Sequence, residues 1–144
     1  YGMVGGQVVD VEMTGKSLNK EQLDFIYRLK TGALLEASFM VGAALAGASD
    51  DMIRVLEETG KNIGYAFQIQ DDILDITSTT QELGKPVHSD EKNEKNTYVA
   101  VYGMEQAKEA VEAYSEKALT FLEQLPVQSA FLNTLVYALI SRKK

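Results

Sequence analysis

Apolar residues recur at helical spacing through most of the chain and predict a protein built from helices. A first helix is predicted from Asn19 to about Gly47, where apolar residues follow the helical period. Lys30-Thr31-Gly32 lies in its middle, and we expect a break or kink there because glycine and threonine are poor interior helix residues. A second helix is predicted from Ser49 to about Asp75. Three more follow, near Thr97 to Tyr102, Met104 to Leu125 and Gln128 to Ser141.

Polar residues mark the starts of the two long helices. Asn19 can cap the first, with Gln22 three residues later as the second half of a capping box. Ser49 can cap the second, and Asp50 and Asp51 follow in its first turn, where the helix dipole favours negative charge. We therefore assign this aspartate pair a structural role and no part in catalysis.

The helical pattern stops between Thr77 and Asn96, where polar residues, glycine and proline dominate and a long loop is predicted. Loops of this length inside compact domains are often functional. The single histidine, His88, lies in this stretch without a second histidine, and we interpret it as incidental. Residues Gly6 to Asp10 indicate the end of an element that begins upstream. With no strand pattern in the chain, the predicted fold class is all-α.

Length and composition exclude several classes of protein. The 144 residues suit one domain, and a net charge of −7 argues against nonspecific nucleic-acid binding. The chain has no cysteine, which fits a reducing compartment such as the cytoplasm. The most apolar stretch, Ala33 to Ala48, is interrupted by Glu36 and Ser38 and is too short for a membrane span. We expect a buried helix there and no stable membrane insertion.

A group of acids carries the candidate chemistry. Gln68, Asp71, Asp72 and Asp75 fall at helical spacing on one face over about two turns. Three carboxylates this close repel one another unless a cation lies between them, and oxygen ligands of this kind suit Mg²⁺ with a diphosphate. The alternative is a solvated acidic ridge. Apolar neighbours such as Ile69 and Ile73 favour the magnesium site.

Motifs along the whole chain resemble those of the trans-isoprenyl diphosphate synthases, also called polyprenyl synthetases, and in particular the bacterial-type farnesyl diphosphate synthases (geranyltranstransferases). The motifs that carry the resemblance stand in the family's order: Gly6 to Asp10, Lys30-Thr31-Gly32, Gly64 to Asp75, Glu82 to Pro86 and Ser89 to Asn93. The resemblance implies an all-α isoprenoid synthase-type bundle of antiparallel helices around a deep cavity. Residues 1–144 would form the carboxy-terminal part of this single domain, in a cytoplasmic homodimer.

The resemblance also implies an activity and a set of site residues. The activity is head-to-tail condensation of an allylic diphosphate with isopentenyl diphosphate to a short-chain product such as farnesyl diphosphate, with magnesium as cofactor. Asp71 would be the direct metal ligand, supported by Asp72 and Asp75. The other implied residues contact substrate: Lys30, Lys85 and Lys95 on diphosphate, Thr31 and Gln68 near the developing cation, Gln7 and Asp10 along the cavity, and Arg142 in a basic tail that closes over isopentenyl diphosphate.

One departure from the family pattern is large. The family's first aspartate-rich motif is missing, since no pair of aspartates precedes Asp50. We therefore expect the chain to be the carboxy-terminal half of an enzyme, inactive alone, with its product length set by the missing part. Two other hypotheses stay open: a non-enzymatic helical interaction module, and another class I terpenoid enzyme. Lys30-Thr31-Gly32 and Gly84-Lys85-Pro86 favour chain elongation over cyclisation.

Overall fold

A computed structural model of the chain describes residues 2–78 and 96–142, the side chain of residue 140 excepted. Within these ranges the secondary structure is helical without a strand, which confirms the predicted all-α class. The helices are α1 (Gly2–Glu12), α2 (Lys20–Tyr27), a π-helical segment (Arg28–Gly32), α3 (Ala33–Leu45), α4 (Asp50–Thr77), α5 (Tyr98–Tyr102), α6 (Met104–Glu123) and α7 (Ala130–Ile140).

The predicted break in the first long helix is present as the π segment. The amide of Ala33 donates to the carbonyl of Arg28, five residues back, instead of the usual four. The predicted caps are also present: the Asn19 side chain accepts from the amide of Gln22 in a complete capping box, and Ser49 accepts from the amide of Met52. The predicted loop between 77 and 96 falls mostly on residues 79–95, which lie outside the described residues.

Helix α4 is the central element of the described part of the chain, and two apolar clusters pack along it. One joins Ile69 and Ile73 of α4 to α2 and to Ala107 and Val111 of α6. The other joins the amino-terminal half of α4 to α3, α6 and α7 through a set of buried side chains: Ala43, Leu56, Ile63, Ala118, Leu122 and Val136. The order of these contacts shows that α4 and α6 are antiparallel.

Three glycines bring the backbones around α4 unusually close together. A Cβ atom added to Gly64 would lie 2.6 Å from the Cα of Gly32, and one added to Gly60 would lie 2.9 Å from the Cα of Glu36. A Cβ atom on Gly6 of α1 would lie 2.4 Å from the backbone nitrogen of Lys30. The π segment is therefore held against α1 on one side and α4 on the other, with no room for a side chain between them.

Among the described helices, none has both the length and the apolar character that crossing a membrane requires. The expectation of a buried helix at Ala33 to Ala48 is wrong, because Ala43 is the only buried residue of α3 and Leu34, Val41 and Leu45 are exposed.

Candidate active site

The candidate site forms where the π segment crosses α4. The hydroxyl of Thr31 donates to Oε1 of Gln68 at 2.8 Å. The neighbouring Lys30 turns towards α1, where its Nζ lies 2.7 Å from Oδ2 of Asp10. These two side chains are 27% and 19% exposed, so their ion pair is partly shielded from water. Two adjacent residues of the π segment therefore contact predicted site residues on two different helices, Gln68 on α4 and Asp10 on α1.

Asp71 follows Gln68 by one helical turn and faces the carboxy terminus of the described chain. Its Oδ1 accepts from Nη2 of Arg142 at 3.2 Å. The same guanidinium group donates to the carbonyl of Phe67 at 3.3 Å and lies 3.7 Å from the centre of the Phe67 ring. The charge of Asp71 is thus balanced by a basic residue that follows the last helix, the residue for which the family resemblance implies a contact with substrate.

Asp72 and Asp75 occupy the buried side of α4. Asp72 is 3% exposed and Asp75 is 2% exposed. Oδ2 of Asp72 accepts from the hydroxyl of Tyr27 and, at 2.7 Å, from the amide of Tyr98. The four polar residues of α4 therefore divide into a more open pair, Gln68 and Asp71, and a buried pair. A solvated acidic ridge does not describe this arrangement.

The remaining predicted residues are not brought to the crossing in the described part of the chain. Gln7 is exposed on α1, beside a groove of about 460 Å³ lined mainly by Met3, Val4, Val8 and Val11. Lys85 and Lys95 lie outside the described residues. The aspartate pair with the predicted structural role, Asp50 and Asp51, occupies the first turn of α4.

The donor atoms fit a magnesium ion that is completed by substrate and water. No group of three acidic, histidine or cysteine side chains within residues 2–78 and 96–142 could hold a metal by itself. Magnesium, however, usually takes one or two protein carboxylates and keeps waters or substrate phosphates as its other ligands. Asp71, 31% exposed, with the Gln68 amide oxygen one turn away on the same helix, is a donor set of that kind.

Sequence reasoning misses one residue beside the site and a second one about two helical turns away along α4. The helical pattern presents Tyr27 only as an apolar position, although its hydroxyl contacts Asp72. It presents Glu36 only as an interruption in an apolar stretch. Glu36 lies at the close crossing with Gly60, and its Oε1 is buried without a hydrogen-bond partner among the described residues. Burial raises the pKa of Glu36, and the nearby Arg28 lowers it by less.

Comparisons with known proteins identify the family of the chain. The sequence profile of the polyprenyl synthetase family matches residues 1–127. Farnesyl diphosphate synthase of Geobacillus stearothermophilus is 43% identical over 131 residues, which make up 91% of this chain and 44% of that protein. Geranylgeranyl diphosphate synthase of Cyanophora paradoxa is 49% identical over 119 residues, 81% of this chain and 39% of that protein.

A solved structure shows the same fold. The structure of geranyltransferase from Helicobacter pylori, complexed with magnesium and isoprenyl diphosphate, has a TM-score of 0.81 and 33% sequence identity, and the match covers 97% of this chain and 46% of that one. The chain thus spans less than half the length of each of these proteins. The profile match over most of the sequence confirms the resemblance seen in its motifs, and the chain belongs to the polyprenyl synthetase family.

Proposed function

We propose that this chain is the carboxy-terminal part of an enzyme that condenses an allylic diphosphate with isopentenyl diphosphate, head to tail, and releases diphosphate. The observation that carries the proposal is the crossing of the π segment with α4. There the Thr31–Gln68 hydrogen bond brings Lys30 and Asp71 to within one helical turn of the same point. A cation for phosphate and a carboxylate for magnesium are the two charges that a metal-bound diphosphate requires.

Lys30 suits the binding of a phosphate oxygen. Its ammonium group is held in place by Asp10 at 2.7 Å, and its side chain is 27% exposed, so it stays accessible to an anion from the open side. Lysine acts on phosphate as a point charge with three donors, which leaves two for the substrate while Asp10 holds one. Lys85 and Lys95 are proposed to add positive charge from the segment between α4 and α5.

Thr31 and Gln68 suit the stabilisation of positive charge on carbon. In the reaction the allylic C–O bond breaks and its electron pair leaves with the diphosphate. The double bond of isopentenyl diphosphate then forms the new C–C bond, and a proton is lost from the adjacent carbon. Because the Thr31 hydroxyl proton points to Gln68 Oε1, the lone pairs of the Thr31 oxygen remain available to face the cation. Fixed dipoles of this kind act without reorganisation at the moment of reaction.

Asp71 is the proposed magnesium ligand. Gln68 lies one turn before it on α4, and the buried Asp72 and Asp75 follow it. When bound, magnesium would supply the positive charge that stabilises the departing diphosphate. The proposal includes a farnesyl product, a second copy of the chain as partner and a cytoplasmic location, all from the family resemblance. Because the chain is similar to both a farnesyl and a geranylgeranyl diphosphate synthase, the length of the product has to be measured directly.

The test compares two aspartates in the full-length protein that the gene encodes. With geranyl and isopentenyl diphosphates plus magnesium, Asp71→Asn is expected to lower kcat at least about 100-fold, since it removes a charge that acts in the transition state. Asp50→Asn removes the same charge from the exposed first turn of the same helix, and its kcat is expected to stay within about twofold. Chromatography of the product gives the chain length. Equal rates for the two variants would contradict the proposal.

A further inference from the structure

We infer that Asp72 and Tyr27 form a positioning pair, which sets the placement of Lys30 and Thr31 relative to Asp71 without contacting the substrate or the metal. The inference rests on the function proposed above. It assigns to the second aspartate of the motif a task different from that of the first, and it brings a tyrosine outside the motifs named above into the machinery of the site.

The pair is buried and closely hydrogen-bonded. Asp72 is 3% exposed and Tyr27 is 4% exposed, and the phenol donates to Oδ2 of the carboxylate. The amide of Tyr98 lies 2.7 Å from the same Oδ2 and 2.8 Å from the phenol oxygen. A buried carboxylate is tolerated only when its oxygens are hydrogen-bonded, so these donors hold Asp72 in place. Helices α2 and α4 and the first residue of α5 are thereby joined at one point.

The register of the two helices connects this point to the site. Tyr27 precedes Thr31 by four residues, and Asp72 follows Gln68 by four residues. The Tyr27–Asp72 and Thr31–Gln68 hydrogen bonds are therefore about one helical turn apart, both along α4 and along the helix that runs from α2 into the π segment. In the sequence, Lys30 lies between Tyr27 and Thr31, and Asp71 lies between Gln68 and Asp72. Because both hydrogen bonds join the same two helical segments, the distance between the backbones at Lys30 and Asp71 has little freedom to change.

The π segment explains why Tyr27 can take part. Tyr27 contacts Asp72 of α4, and Gly32, five residues later, contacts Gly64 of the same helix. In a regular α-helix five residues turn well past one revolution, which would point these two residues in different directions. The wider turn between Arg28 and Gly32 returns the same face to α4.

The experiment uses Tyr27→Phe in the full-length protein, with Tyr65→Phe as matched control. Tyr65 is partly buried and, like Tyr27, links α4 to α2, because its hydroxyl donates to the carbonyl of Asp24 at 3.3 Å. Tyr27→Phe keeps the ring and removes the donor to Asp72. We expect kcat to fall about tenfold, because small displacements of catalytic groups affect the transition state more than substrate binding. The KM of each diphosphate and the magnesium concentration at half-maximal rate are expected to change less than about twofold.

A second readout does not depend on activity. Hydrogen exchange at the Tyr98 amide, followed by mass spectrometry of a peptide covering residues 96–102, should become faster in Tyr27→Phe and stay unchanged in Tyr65→Phe. A Tyr27→Phe enzyme whose kcat equals that of the wild type would overturn the inference, so the two kcat values are measured side by side. A magnesium requirement raised by much more than about 100-fold in Asp72→Asn would also overturn it, since loss of a residue that only orients a metal ligand lowers metal affinity by about 10–100-fold. A wild-type protein without prenyl transfer would instead refute the proposed function.

Discussion

The close backbone contact between α4 and the π segment leads to a prediction for Gly64→Ala. The added methyl group would lie 2.6 Å from the Cα of Gly32, whereas carbon atoms in contact are normally about 3.5–4.0 Å apart. The two elements must therefore separate by about 1 Å at this point. Because the Thr31–Gln68 hydrogen bond is 2.8 Å long, the same displacement would break it.

The size of the effect follows from three contributions. Replacing an interior helix glycine by alanine stabilises a helix by about 1 kcal/mol. Overpacking of a tight contact costs about 1–3 kcal/mol, and a lost hydrogen bond about 1 kcal/mol more. We expect Gly64→Ala to lower the free energy of unfolding by about 1–3 kcal/mol, as the sum of these terms.

Gly42→Ala is the matched control. Gly42 also lies inside a helix, but no atom is within 4 Å of the position its Cβ would take. Only the helix-propensity term applies, so the free energy of unfolding should rise by as much as about 1 kcal/mol. Both variants would be measured by urea unfolding of the 144-residue chain, followed by its helical circular dichroism. Equal stability of the two variants would refute the steric reasoning.

Three further predictions concern stability and activity. Glu36→Gln should raise the free energy of unfolding at about pH 7, because burial raises the pKa of Glu36 above its ordinary 4.5 and so disfavours the charged form in the folded state. The extra stability of Glu36→Gln should shrink as the pH falls towards 4.5. Urea unfolding of the variant and the wild type at several pH values measures this. Asn19→Ala should cost about 1 kcal/mol through loss of the capping box, with the exposed Ser17→Ala as control in the same unfolding assay. The 144-residue chain alone should form no product from geranyl and isopentenyl diphosphates, since its sequence contains only one aspartate-rich motif; turnover at the rate of the full-length enzyme would contradict this.

Local signals in the sequence predict the helix caps and the break in the first long helix. Asn19 and Ser49 act on amides three residues away, so a short window of sequence contains the whole interaction. Helix α1 is not predicted as a helix, because its glycines have low helix propensity. Its stability depends instead on packing, as the contact of Gly6 with the distant Lys30 shows.

The candidate site could be predicted only in part, because some of its contacts are local in the sequence and others are not. Helical spacing places Gln68, Asp71 and Asp72 near one another, but it cannot tell which carboxylate is buried. That depends on Tyr27, which is 45 residues away from Asp72 in the sequence. The pairing of Tyr27 with Asp72 follows from the antiparallel register of α2 and α4, and no window of local sequence contains it.

The contact between Arg142 and Asp71 also bears on how cation binding should be measured. The guanidinium group is tethered to the same chain, so it acts as a built-in competitor whose local concentration is set by the covalent connection and not by the buffer. A cation that binds Oδ1 of Asp71 has to displace it. Titrations on chains shortened before position 142 would therefore report tighter binding than the intact chain has, and the difference would measure the strength of this internal competition.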